Sequence, residues 1–181
     1  MKRRQMLKHF ALATTAAMLL PSCIKDPKKV SIALSNLNVT GEEEELLAAI
    51  ADTIIPDTDK PGAKTVGAHL FTLVMIDDCG NKESKEKYMR GLRAFDEACE
   101  EISGKSFSDL SVEERLTLLK KIDKNEVGLK EDVVTFYMAS KQYIIQGYTS
   151  SQYFLTEVKP YQLVPGPGWK GCIAVSETPN V

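Results

Sequence analysis

The stretch KESKEKYMRGLRAFDEACEEIS (residues 82–103) decides the fold class of this chain. Its large apolar residues recur at intervals of four, three, four and three, which is the spacing of one buried face of an amphipathic α-helix. Charged residues fill most of the other positions, as expected of a helix whose opposite face meets water. The predicted buried face consists of Tyr88, Leu92, Phe95, Cys99 and Ile102.

Two other segments carry clear helix-start signals. Thr40 followed by Glu43, and Ser111 followed by Glu114, each have the spacing of a capping box. The helical periodicity after them predicts one helix that ends at Pro56 and another within residues 110–123. The residues predicted to be buried are Leu46, Leu47, Ile50, Ile54 and Ile55 in the first helix and Val112, Leu116, Leu119 and Ile122 in the second.

The remaining periodic segments complete an all-α fold. AHLFTLVMIDDC (residues 68–79) is apolar nearly all round, which predicts a helix buried in the middle of the domain. Residues 131–148 predict a further helix, and after it the pattern fails except for one short turn. We therefore predict a small bundle of about five helices over residues 41–158 and an extended Pro/Gly-rich C-terminal arm over residues 159–181. In the last helix, the residues available for burial are Val134, Tyr137, Met138, Ile144, Ile145 and Tyr148.

The N-terminus has the parts of an export signal. Arg3 and Arg4 precede the apolar stretch 10–20, which is shorter than the roughly 20 residues that a membrane-spanning helix needs. The adjacent arginines favour a twin-arginine signal in residues 1–22 and not an ordinary secretory signal. A twin-arginine signal is the type that exports folded proteins. LPSC (residues 20–23) resembles a lipobox, which predicts a lipid on Cys23 and a polar tether over residues 23–40. The alternative is that Cys23 is the first cysteine of a soluble secreted protein.

Composition excludes several functions. The first 22 residues hold four of the 23 basic residues and none of the 25 acidic ones, which leaves the mature chain with a net charge near −6. With no basic patch in the sequence, nucleic acid is not expected as a partner. The chain also lacks a CxxCH haem motif and a Walker-type loop.

The side chains that are able to exchange protons, act as nucleophiles or bind metals do not form a pattern of catalytic or metal-binding groups. Asp57 and Asp59 suit turn chemistry. Asp77 and the adjacent Asp78 end a predicted helix, the unfavourable end for carboxylates, which suggests partners elsewhere in the domain. His69 is expected to be a structural histidine with satisfied hydrogen bonds. We predict no catalytic, cofactor-binding or metal-binding residue in this chain.

The cysteines other than Cys23 divide into two kinds. Cys99 belongs to a predicted buried helix face, where a thiol behaves as a small hydrophobe. Cys79 and Cys172 lie at an element end and in a loop, which makes them disulfide candidates in an oxidising compartment. They pair with each other, or Cys172 pairs with a partner chain.

Three stretches in fixed order carry a resemblance to a known family: ADTIIPDTDKPGA (residues 51–63), HLFTLVMIDDC (residues 69–79) and YQLVPGPGWKGC (residues 161–172). Together they resemble subunit 3 of the gluconate 2-dehydrogenase family, over about residues 42–172. The resemblance implies a small non-catalytic accessory subunit. Such a subunit carries the export signal for a large FAD-containing dehydrogenase of the glucose–methanol–choline type and stays with it at the membrane, often with a cytochrome subunit.

The arm supplies the candidate partner-binding residues, which are Tyr161, Val164, Pro165, Trp169 and Cys172. Prolines stiffen this segment, and aromatic anchors are favoured at interfaces. The alternative is that the arm folds back onto its own helices, with Trp169 filling a groove and Cys172 bridging to Cys79. Two other functions compete with the accessory-subunit hypothesis: a stand-alone envelope lipoprotein that acts as a helical scaffold, and, least favoured, an enzyme acting through Cys172 or His69.

Overall fold

The computed structural model describes residues 30–160 of the 181-residue chain, and all regular structure in that range is helical. This confirms the predicted all-α class with about five helices. The predicted arm lies almost entirely outside the described residues. The elements are α1 (Gly41–Ile54), α2 (Ala68–Cys79), α3 (Lys82–Ser103), a 3₁₀ turn (Phe107–Asp109), α4 (Val112–Asp123), α5 (Glu131–Thr149) and a π-helical turn (Phe154–Val158).

Both predicted capping boxes are present. At the start of α1 the Thr40 side chain accepts the Glu43 backbone N–H (3.2 Å), and the Glu43 carboxylate accepts the Thr40 N–H (2.8 Å). Ser111 and Glu114 make the same pair of bonds at the start of α4. Each box satisfies two backbone donors that a helix start leaves without partners.

Helix α5 lies between α2 and α3 and packs closely against both. A Cβ atom on Gly91 of α3 would lie only 2.2 Å from the carbonyl oxygen of Asp132 in α5, so this close approach requires glycine. At the other end of α5, a Cβ on Gly147 would lie 2.9 Å from the Phe71 ring of α2. The C-terminal end of α5 therefore meets the N-terminal part of α2.

The core formed by these helices is aromatic. The Phe95 ring lies 5.5 Å from Phe107, 5.4 Å from Phe136 and 6.5 Å from Tyr137, measured between centroids. The buried Tyr88 hydroxyl is paired with the Ser140 hydroxyl at 2.9 Å, so its one polar atom has a partner.

The predicted helix faces are confirmed in part. Four of the five residues of the predicted α3 face are buried, and Ile102 at the helix end is half exposed. In α4, Leu119 and Ile122 are buried as predicted, but Val112 (65 % exposed) and Leu116 (41 % exposed) face solvent, and Leu118 is buried instead. In α5, the burial expected of Met138 and Ile145 is wrong, because the buried face runs through Val133, Phe136, Tyr137, Ser140, Ile144 and Gly147.

Helix α2 differs from its prediction as well. It is buried along one side, through Leu73 and Ile76, whereas Val74 is 39 % exposed. An almost uniformly apolar sequence does not identify which side faces the core, and here only one side does.

Residues 30–40, named the strap below, lie against the helices instead of forming a free tether. Val30, Ile32, Leu34 and Leu37 pack onto the core, Val39 belongs to it, and the residues between them are mostly exposed. This alternation is that of an extended, half-buried segment. The predicted tether over residues 23–40 therefore extends too far, since its last eleven residues belong to the folded body.

We expect Gly91→Ala to lower the free energy of unfolding by about 2 kcal/mol or more, because the added methyl group must push α3 away from α5. The matched control is Gly128→Ala, where a Cβ has no neighbour within 4 Å. That change is expected to stay within about 0.5 kcal/mol of the parent in urea denaturation. Equal effects at the two positions would contradict the close-packing account.

Candidate partner interface

The predicted arm leaves the domain beside the loop that joins α1 to α2. After α5 the chain makes its π-helical turn, in which the Lys159 backbone N–H donates to the Phe154 carbonyl (2.8 Å). The Phe154 ring packs edge-on against Tyr148, with 5.7 Å between centroids, and the Tyr148 hydroxyl donates to the Pro61 carbonyl (3.3 Å). These contacts fix the position from which the arm starts.

The loop between α1 and α2 depends on Asp57 and Gly62. The Asp57 carboxylate accepts the Gly62 backbone N–H and the Thr65 hydroxyl, and these bonds, the first above all, lower the pKa of Asp57. A Cβ on Gly62 would lie 2.5 Å from the Ile55 carbonyl oxygen, so no other residue fits there. The turn interpretation of Asp57 is confirmed, and the motif IIP followed by PGA gains a physical explanation.

Asp77 holds the strap against the C-terminal end of α2. Its carboxylate accepts the backbone N–H groups of Ser35 (2.7 Å), Asn36 (2.8 Å) and Leu37 (2.7 Å). Burial opposes ionisation of this side chain, which is 3 % exposed, but the three amides outweigh it and the pKa of Asp77 is lowered. The expectation that this carboxylate has partners elsewhere in the domain is confirmed, and the strap supplies them.

A second buried carboxylate holds the strap nearer its beginning. Glu44 of α1 accepts both the backbone N–H and the hydroxyl of Ser31, each at 2.6 Å. Two carboxylates on different helices thus bind two points of one extended segment.

His69 lies near Glu44, and its environment differs from the prediction. The residue is buried, as expected of a structural histidine, but its Nδ1 atom has no hydrogen-bond partner within residues 30–160. Burial is the main cause that lowers the pKa of His69; Lys64 adds to it, and the Glu44 carboxylate opposes it. The ring is therefore held neutral at neutral pH, and the expectation of fully satisfied hydrogen bonds is wrong.

The two described cysteines are in opposite environments. Cys99 is buried in α3 as predicted, and burial raises its pKa to about 12, so its thiol is unreactive at neutral pH. Cys79 is exposed at the C-terminal end of α2. Its predicted partner Cys172 lies outside the described residues, and the bridge stays a prediction.

Exposed large apolar side chains occur on four helices and in the π-helical turn. Val112 and Leu116 lie one turn apart on α4, and Met138 and Ile145 lie two turns apart on α5. The others lie singly, and they are Val74 on α2, Ile102 on α3 and Val158 in the π-helical turn. Scattered exposed side chains are ordinary, but pairs that share one helix face are available for contact with another protein.

Metal-binding groups do not gather in the described part of the chain. Between residues 30 and 160, no three His, Cys, Asp or Glu side chains are placed to hold a metal ion together. None of the helices in that range is long and apolar enough to cross a membrane. Asp77 and Glu44, whose partners the sequence did not identify, both bind the strap.

Most of the predicted site residues lie outside the described range. They are Arg3, Arg4 and Cys23 at the N-terminal end, and Tyr161, Val164, Pro165, Trp169 and Cys172 in the arm. The structure brings together other residues that the sequence analysis did not select: the strap, its two carboxylates and Gly62. The signal for the strap was present in VSIALSNLNV (residues 30–39), whose apolar residues alternate with small or polar ones over most of its length.

Comparison with known proteins gives one family. A family model described as gluconate 2-dehydrogenase subunit 3 matches residues 41–168, well over half of the chain. The match begins at the first residue of α1 and runs into the arm, so it leaves out the strap and residues 169–181. No curated protein and no solved structure matches the chain.

We expect Asp77→Asn to detach the strap and to lower the free energy of unfolding by about 2–3 kcal/mol, because the amide has no negative charge and keeps only one of the two acceptor oxygens that the three N–H groups use. Asp78→Asn, at the exposed neighbouring position, is the matched control and is expected to change little. Urea denaturation gives the free energies, and hydrogen exchange of residues 35–37 reports the detachment. Unchanged exchange at these amides in Asp77→Asn would contradict the account.

Stability is also expected to fall on mild acidification because of His69. Since the folded state lowers the pKa of this ring, its contribution is complete above its ordinary pKa near 6.5 and is lost as the pH drops through the folded value. We expect a lower urea midpoint at about pH 5.5 than at about pH 7.5, and a smaller difference in His69→Gln. The only other histidine, His9, lies in the predicted signal segment. An equal difference in both proteins would exclude His69 as the cause.

Proposed function

This chain belongs to the gluconate 2-dehydrogenase subunit 3 family, and from that membership we propose that it is a non-catalytic accessory subunit of a dehydrogenase complex. It binds a folded FAD-dependent dehydrogenase of the glucose–methanol–choline type, escorts that protein through its export and holds it at the membrane. The FAD belongs to the partner, and this chain contributes no cofactor of its own. A cytochrome subunit is a further expected member of the complex.

The family match over residues 41–168 is the observation that carries this proposal. It covers all five helices and the first part of the arm, so the match includes the domain core as well as the motif with Gly62. The paired arginines of an export signal for folded proteins support the escort role, because an FAD enzyme acquires its cofactor on folding. The family match and the export signal both support a role in binding and exporting a partner protein, and neither requires catalysis by this chain.

The arm is the proposed contact with the dehydrogenase. Its root is fixed by Tyr148, Phe154 and Pro61, so the segment that follows starts from a rigid point. A stiff, aromatic segment that starts from a fixed point loses little conformational entropy on binding. Trp169 is proposed as the main anchor, with Tyr161 and Val164 as further contacts and the exposed apolar pairs on α4 and α5 as additional surface.

Membrane attachment is proposed to come from the N-terminus. A lipid on Cys23 would lie only seven residues before Val30, where the described strap begins. An extended segment of this length spans at most about 25 Å, so the lipid would keep the domain close to the bilayer surface. Two signals are normally needed for stable anchoring, and a bound partner complex is able to supply the second.

The proposal is tested by recovering the tagged full chain from native membranes in mild detergent. We expect a large protein with the absorbance of bound flavin to accompany it, and Trp169→Ala to lower the recovered flavin by about tenfold, as loss of an interface anchor does. A colourless chain recovered alone would favour the stand-alone envelope lipoprotein.

Two controls separate binding from folding and from export. Trp169→Ala is expected to keep the thermal midpoint of the isolated chain; a lowered midpoint with unchanged flavin recovery would instead place Trp169 against its own helices. Arg3→Lys combined with Arg4→Lys is expected to leave both this chain and the flavoprotein inside the cell. Undiminished export of that variant would overturn the twin-arginine route.

A further inference from the structure

A groove of about 670 Å³ runs between the strap and the N-terminal half of α3. One wall is formed by Asn36, Leu37 and Asn38, and the groove floor includes the side chain of Met89. The opposite wall is strongly basic. It carries four cations and one carboxylate, which are Lys82, Lys85, Arg90, Arg93 and Glu86.

Ion pairs neutralise this groove only partly. Arg90 pairs with Asp132 (2.8 Å) and Arg93 with Glu43 (3.0 Å), and neither carboxylate lines the groove. Lys82 lies 4.0 Å from Glu86 with its side chain 92 % exposed, a pair of little energetic value. Lys82 and Lys85, at the end of the groove nearest α2, are therefore the cations most available to an anionic group.

Cys79 lies at that end of the groove. It precedes Lys82 by three residues, so their Cα atoms are at most about 10 Å apart. Two residues before it, Asp77 binds the backbone N–H groups of Asn36 and Leu37, which belong to the other wall. The exposed thiol does not itself line the groove, but its neighbours in the sequence bind one wall through Asp77 and belong to the other through Lys82.

The arm is long enough to bring Cys172 to this thiol. Its root lies near the N-terminal end of α2, and Cys79 ends that twelve-residue helix, a distance of about 17 Å along the axis. The twelve residues from 160 to 172 reach about 40 Å when extended. Cys99, the other described thiol, is buried, so Cys79 is the thiol that Cys172 is able to meet on this domain.

The residues after Cys172 complement the groove. The sequence IAVSETPNV (residues 173–181) contains the apolar Ile173 and Val175, one carboxylate at Glu177 and no cationic side chain. We propose that a Cys79–Cys172 disulfide directs residues 173–181 of this chain into the groove, with Ile173 and Val175 against Leu37 and Met89 and with Glu177 farther along the basic wall.

The disulfide forms by exchange with a disulfide-bonded oxidant protein of the cell envelope. The Cys79 thiolate attacks one sulfur of the oxidant disulfide and forms a mixed disulfide, releasing the oxidant's other sulfur as a thiolate. The Cys172 thiolate then attacks the Cys79 sulfur, which forms the Cys79–Cys172 bond and releases the oxidant's remaining thiolate. Two thiols of this chain lose two protons and two electrons to form one S–S bond, and the oxidant is reduced to two thiols. The arm between residues 160 and 171 then becomes a loop fixed at both ends.

This proposal rests on export to an oxidising compartment, which is part of the proposed function, but it requires no dehydrogenase partner, because the groove, the tail and both cysteines belong to one chain. The strap and the tail also lie outside the region that the family model matches. The full chain is purified with its free thiols alkylated during lysis, and its peptides are mapped without reduction. We expect one linked pair containing Cys79 and Cys172, with Cys99 recovered alone after unfolding.

Hydrogen exchange then tests the position of the tail. The N–H groups of Asn38 and Val39 have no hydrogen-bond partner within residues 30–160, so their exchange reports what covers them. We expect Ile173→Asp combined with Val175→Asp to keep the disulfide and to speed exchange of the peptide covering residues 37–40 on the order of tenfold. Val112→Asp combined with Leu116→Asp, the same change on exposed residues of α4, is expected to leave that exchange unaltered.

The proposed contact between Glu177 and the basic wall of the groove is tested by reversing the charge of residue 177. Glu177→Lys is expected to speed exchange of the same peptide, because it places a cation against the basic wall of the groove. An alkylated Cys79, or a Cys79 linked to another protein, would overturn the proposal. A correct disulfide with no effect of the tail variants would also overturn it, as would protection of residues 37–40 that appears only when a second protein is bound.

Discussion

The close contact between α3 and α5 at Gly91 is the constraint on which the rest of the domain depends. With no side chain at that position, the two backbones approach until only a hydrogen atom fits between Gly91 and the carbonyl of Asp132. Along the same seam, Phe95, Phe136 and Tyr88 then meet edge to edge, and the Tyr88 hydroxyl reaches Ser140. A larger separation would weaken all these contacts together, because packed cores do not deform gradually.

The position of α5 also determines where the functional segments start. Gly147 lets α5 pack against Phe71 at the beginning of α2, so the root of the arm lies at one end of α2 and Asp77 lies near the other. Asp77 shows why a carboxylate is tolerated at a helix C-terminus, where the helix dipole disfavours it. Three backbone amides from outside the helix bind it at 2.7–2.8 Å, and charge-assisted bonds of this kind outweigh a dipole interaction worth at most about 1 kcal/mol at most sites.

Local signals in the sequence predicted the helices well and their buried faces less well. Capping boxes act within four residues, so Thr40 and Ser111 identified the starts of α1 and α4 without knowledge of the fold. The buried side of α4 depends on where its neighbours lie, and the apolar spacing fitted a face with Val112 and Leu116 as well as the observed face with Leu118. Periodicity alone cannot choose between overlapping apolar stripes.

The strap was missed because its interpretation requires a partner distant in sequence. Residues 23–40 were predicted from the sequence to be a polar tether, and no strand that could pair with residues 30–39 is present within residues 30–160. Its backbone donors are satisfied by side-chain carboxylates 13 and 42 residues away, a form of pairing for which the sequence has no local pattern. Gly62 was missed for the same reason. Glycine is required there because the backbone of residues 55–57 lies close to it, and its immediate sequence neighbours do not indicate this.

The arrangement of core and termini has a consequence for how this subunit would work. The aromatic core is closed and its buried hydroxyls are paired, so the described helices have little need of a partner to complete them. The proposed contacts with other molecules therefore lie mainly in the segments at the two ends, with the exposed apolar pairs on α4 and α5 as additional surface. Asp77 holds the strap at the C-terminal end of α2, and Tyr148 beside the root of the arm is bonded to Pro61 in the loop before α2. A force on the proposed lipid anchor and a load on the proposed partner-binding arm would therefore act near opposite ends of one short helix. A rigid connection of this kind would hold a bound dehydrogenase at a defined distance from the membrane, which a chain anchored through a long free tether could not do.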